Sequence, residues 1–228
     1  MRQGMFRIML CAVLASGLAL TAGCGFFWSS DKALAQAAKQ YSKGNYDRAL
    51  IEVGEILRRE PDNINAYRLR VMIGEAREDW ENVIADVGQV LRLDAKDADA
   101  YVSRGNARLS LRQFEAALLD FRAAVRLDPD DPYTHNDLAW LLATAPEDKL
   151  RNGQEALAVA TKACELSEWE DGVIIDTLAA AYAESGNFEE AVKWQKKAME
   201  FSELMDKDKE GAEARLALYL EGKPFREE

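Results

Sequence analysis

A spacing of 34 residues runs through this chain and limits its fold more than any single motif does. Ala37, Val71, Gly105 and Ala139 stand 34 apart, and so do Ala49, Val83 and Ala117. Between them apolar residues recur at three and four, the spacing of one helix face, with no period-2 alternation to suggest strands. A repeat of this length holds two helices, and neither can bury its apolar stripe alone, so neighbouring repeats must stack. The expected fold is therefore all-α: an α-solenoid of about five antiparallel helix pairs plus a C-terminal capping helix.

The clearest unit reads DAYVSRGNARLSLRQFEAALLDFRAAVRLDPDD, residues 99–131. Gly105 and Ala117 are small enough for two helices to approach closely, and Phe121 fills the space beside that contact. Ala124 admits the next helix, and Pro129 cannot continue one. With Tyr101, these residues closely resemble the signature of a tetratricopeptide repeat (TPR). The turn signals Lys43-Gly44-Asn45 and Ser185-Gly186-Asn187 fall where the helices of a unit should join.

Pro61 stands 68 before Pro129, but Ala95 takes the midpoint and weakens the signature of the second unit. After residue 132 the period stretches by a turn-rich insertion from Pro146 to Gly153. Residues 138–223 resemble a tail module of bacterial TPR proteins. The units are expected at about 31–63, 64–97, 98–131, 132–171 and 172–205, with a cap over 207–223 whose helix runs from about Lys207 to Leu220.

Recurrence also sorts structural residues from candidate binding residues. Arg70 and Arg104 recur, as do Asp86 and Asp120, which reads as Arg–Asp links within or between units. The resemblance implies that the first helix of each unit lines a concave surface. Two positions four apart on that helix read Leu34/Ala38, Arg68/Met72, Val102/Asn106, Asn136/Trp140 and Asp176/Ala180. The geometry repeats while the chemistry changes, as a selective groove requires. Met72, Val102 and Trp140 offer apolar area, Asn106 and Asn136 amides, and Arg68 a charge. Trp140 reads equally as a groove residue or as one packed on the next unit. The candidate partner site is thus Arg68, Met72, Val102, Asn106, Asn136 and Trp140, for a protein or peptide. Leu34 and Ala38 leave the family's clamp for a C-terminal carboxylate incomplete. A small molecule or an envelope glycan in the same groove is the alternative ligand.

The N-terminus sets the compartment. Arg2 and Arg7 precede an apolar run from Ile8 to Leu20, followed by Thr21-Ala22-Gly23-Cys24. Those 13 residues are short for a bilayer core, which takes about 20, and read as a secretory signal. Ala22-Gly23-Cys24 is similar to the lipobox of bacterial lipoproteins, which implies a signal peptide at 1–23, lipidation of Cys24, and a short tether over 24–30. An uncleaved anchor from Ile8 through Trp28 is the alternative. Either way the body is held to a membrane outside the cytoplasm, and Gly25 after the Cys resembles outer-membrane sorting. Phe26, Phe27 and Trp28 would lie against lipid or pack on the first helix.

Other functions are excluded by what the chain lacks. A formal charge of −11 disfavours nucleic acid, which needs basic patches. Cys11 and Cys24 belong to the N-terminal segment, leaving Cys164 as a small core residue with no disulfide or metal partner. His135, the only histidine, reads as an exposed helix-start residue near Asp137. No phosphate loop or nucleophile motif appears, so no catalytic residue, metal or cofactor is expected.

Overall fold

The computed structural model describes residues 28–227, which form eleven α-helices, with no strand among the described residues. They pair as α1 (Ser30–Ser42) with α2 (Tyr46–Arg59), α3 (Ile64–Ala76) with α4 (Trp80–Leu93), and α5 (Ala98–Ser110) with α6 (Phe114–Leu127). The last two pairs are α7 (Pro132–Thr144) with α8 (Gly153–Leu166) and α9 (Gly172–Glu184) with α10 (Phe188–Ala198). The cap is α11 (Ser202–Leu220). It starts earlier than expected and breaks at Asp208, whose φ of −147° is not helical. Each second helix packs against the first helix of the next unit, which makes the stack continuous.

Local chemistry starts the first helices on a 34-residue beat. Ser29, Asn63, Asp97 and Asp131 each accept a backbone N–H from the first turn of α1, α3, α5 and α7, satisfying donors that the helix leaves open. Asp171 does the same for α9, forty residues after Asp131 because of the insertion, which includes a short 3-10 turn at Asp148–Leu150. The turns inside units keep the beat as well. Gly44, Glu78 and Arg112, 34 apart, all have positive φ, at 74°, 56° and 59°.

Helix ends follow. Pro61 and Pro129 stop α2 and α6, since the residue before a proline avoids helical angles. Helix α4 stops in the same register without a proline. There Asp94 accepts the N–H of Lys96 at 3.1 Å, the same side-chain turn that Asp128 makes with the N–H of Asp130 at 3.3 Å beside Pro129.

The core runs along the interior of every pair. Gly105 and Phe121 meet as expected: a Cβ on Gly105 would lie 2.6 Å from the fully buried Phe121 ring. Arg70 donates to Asp86 at 2.5 and 2.6 Å, and Arg104 to Asp120 at 2.7 and 2.9 Å. Both links join the two helices of one unit. Cys164 is a core residue, and burial pushes its thiol up to about 12, so it stays protonated.

Candidate functional site

The inner stripe changes character along the stack. In the first three units it is open: Ala38, Arg68 and Asn106 are exposed, while Leu34, Met72 and Val102 are partly covered. In the last two it is closed, with Asn136, Trp140, Asp176 and Ala180 all buried. The six candidate residues therefore divide into an open set of four and a covered pair.

In the open set, the Arg68 guanidinium donates to the Asp97 carboxylate at 2.7 Å and remains about half exposed. The same carboxylate caps α5 through the Ala100 N–H at 3.0 Å, so one residue both starts a helix and aims an inner-face cation. One turn beyond Met72, Glu75 accepts the Ser103 hydroxyl at 2.7 Å. Burial raises the Glu75 carboxyl above its ordinary value, and the Ser103 hydrogen bond only partly opposes this. This surface presents a cation, a thioether, a half-buried carboxyl and an amide within two adjacent units. Glu75 and Ser103 lie three and one residues from candidate positions. Comparing adjacent repeats for polar pairs would have found them.

For Asn136 the covered position corrects the expectation of a groove amide, and for Trp140, read equally as a groove or a packed residue, the structure shows packing. Asn136 is 5% exposed and its Oδ1 has no hydrogen-bond partner among the described residues. Trp140 is 4% exposed because the C-terminal tail lies on it. Its indole Nε1–H donates to Glu227 at 3.2 Å, and its ring tilts against Phe225 at 5.7 Å between centroids. His135 is corrected too: it is buried, and its Nδ1 lies 2.9 Å from the Asp131 carbonyl oxygen, a cap contact rather than an exposed one.

At the end of the stripe Asp176 is enclosed by the cap. Gln195 donates to it at 2.6 Å and Arg215 at 3.0 Å, and Arg215 also donates to Asp208 at 2.9 Å. Each member of this buried ion pair offsets the desolvation of the other, and the pair ties α11 to α9. Among the described residues no group of three or more His, Cys, Asp or Glu is placed to hold a metal, and no helix is long and apolar enough to cross a membrane. Cys24, Phe26 and Phe27 lie outside the described residues. Trp28 is described, and it packs under the Arg59 guanidinium of α2 at 4.7 Å.

Comparison with known proteins agrees with this architecture. Residues 98–131 and 176–203 match the family model of the tetratricopeptide repeat, so the chain carries such repeats. Among solved structures, MamA from Desulfovibrio magneticus RS-1 superposes with a TM-score of 0.67 at 18% identity, covering 78% of this chain and 97% of that one. YrrB, described as a TPR protein with an unusual peptide-binding site, gives 0.66 at 20% identity over 85% of this chain and 92% of its own. A thermophilic TPR protein of Thermus thermophilus gives 0.57 at 21% over 84% and 99%. A sequence comparison with curated proteins gives no match. At these identities the structural likeness is one of fold.

Proposed function

We propose that this protein is a membrane-anchored, extracytoplasmic scaffold that holds a protein or peptide partner against the inner surface of its first three repeats, in assembly or secretion at the cell envelope. One observation carries the reading: the stripe through Arg68, Met72, Val102 and Asn106 stays accessible while its chemistry changes at each step. Residues that merely hold a repeat together would recur, as Arg70 and Arg104 do. The peptide-binding site described for YrrB, a protein of the same fold, supports a groove ligand of this class. The anchor is the lipidated Cys24, which keeps the groove within reach of partners at the membrane.

The test is photo-crosslinking in cells from position 106, followed by mass spectrometry of the captured partner. Capture should be lost when Met72→Glu and Arg68→Glu are combined and should survive Lys196→Glu, an exposed change on α10. Loss with the α10 change alone would move the binding surface elsewhere. Mass analysis of the mature N-terminus should find acylated Cys24, and an intact Met1 would reject the anchor.

A further inference from the structure

After α11 the chain turns at Glu221-Gly222, where Gly222 has a φ of 71°, and residues 223–227 continue without secondary structure. This tail crosses the C-terminal ends of α7 and α9 and lies against the second half of α11. On α7, the Thr144 carbonyl accepts the Glu227 N–H at 2.9 Å, and Trp140 contacts both Phe225 and the Glu227 carboxylate. On α9, Glu184 meets the Arg226 guanidinium at 2.5 Å. On α11, the Arg215 guanidinium lies 5.5 Å from the Trp140 ring centre and 5.8 Å from that of Phe225.

These contacts have the form of peptide recognition. Thr144 ends α7, so its carbonyl has no partner within the helix, and a main-chain donor from any extended segment satisfies it whatever the sequence. The indole adds contacts that depend on sequence: its ring packs a tilted aromatic side chain while its N–H donates to a carboxylate two residues further on. Trp140 also stands 34 residues after Asn106, at the same register position on the next first helix, so this covered end lies on the same stripe as the open one.

We propose that the α7–α9–α11 end of the groove is a binding site for an extended segment carrying an aromatic residue two places before a carboxylate. The chain's own tail is its resident ligand, and a partner segment of the same chemistry binds by displacing it. This rests on the groove reading above and adds what one end of the groove selects.

The test titrates a fluorescein-labelled, C-terminally amidated peptide Lys-Pro-Phe-Arg-Glu into the full chain and into the full chain carrying F225A/E227A. Apparent affinity scales with the fraction of open sites, so if the tail covers about nine sites in ten, the variant should bind about tenfold tighter than the parent. Adding Trp140→Ala to the variant should abolish binding, and a peptide with Phe and Glu exchanged should bind neither protein. Equal affinity for parent and variant overturns the proposal, as does binding that ignores residue order. Loss of cooperative melting in F225A/E227A would make the tail part of the core, and a concentration-dependent dimer abolished by those changes would place it in a second copy's cleft; either result overturns the proposal too. Crosslinking from position 106 is read separately, so failure here leaves the wider groove reading standing, and failure there leaves this one.

Discussion

Two residue positions show where function and register press against local preference. Glu78 sits at the turn position that Gly44 and Gly186 fill, in a left-handed backbone that costs a side chain about 1–2 kcal/mol, partly offset by glycine's greater freedom when unfolded. Glu78→Gly should therefore stabilise the protein by about 0.5 kcal/mol in urea unfolding. The converse Gly44→Ala, with open space around the new Cβ, should cost about 1 kcal/mol through the backbone alone. Glu75 makes the other case. Its carboxyl is raised by burial, so the folded state holds the proton more tightly than the unfolded state. That contribution is fully present below the ordinary carboxyl value of 4.5 and is lost as pH rises through the raised one. Glu75→Gln should melt higher than the parent near neutral pH, and the two should converge in acid. A gap that widens in acid would mean that the carboxylate is favourably paired.

At the scale of the element, glycines in helices separate packing from propensity. Gly54 and Gly88 occupy one register position on α2 and α4, and a Cβ on either would meet nothing within 4 Å. Alanine there should stabilise by about 0.5–1 kcal/mol each, since the helix gains propensity without a clash. Gly105 is the reverse, because the Phe121 ring closes its site at 2.6 Å, and Gly105→Ala should cost about 1–3 kcal/mol. Chemical denaturation of the three variants checks the signs. Most of this scale was legible in sequence: the Arg–Asp links follow from what recurs, and the Gly105–Phe121 contact from the repeat signature of the third unit. The cap column Ser29, Asn63, Asp97 and Asp131 was equally available, and it escapes a search for apolar periodicity because its members are polar and differ in type. The break of α11 at Asp208 was not legible, since Arg215, which holds that carboxylate, acts from seven residues away across a kink.

For the whole molecule, the decisive feature is how the stack ends. A solenoid exposes an apolar face at each end, and here α11 covers one through the buried Asp176–Arg215 pair. Arg215→Met leaves Asp176 buried without its cation and should cost about 3–5 kcal/mol, loosening the C-terminal repeats first. Combining it with Asp176→Asn should recover much of that loss, because both buried charges are then gone. Hydrogen exchange along α9 and α11, read beside the global melt, distinguishes local release of the cap from general unfolding.

The 34-residue period, the number of helix pairs, the turns at Gly44 and Gly186 and the internal Arg–Asp links were determined by the sequence alone, because each depends on residues within one repeat or its neighbour, whereas the start of the cap at Ser202 was not. Which part of the inner stripe is open was decided only by the tertiary structure. Asn106 and Trp140 hold equivalent register positions, yet one is exposed and the other is sealed by a tail 87 residues further along the chain. Periodicity reports which side of a helix a residue occupies. Burial on that side depends on what the rest of the chain lays across it, and for Trp140 and Asp176 that is the tail and the cap helix.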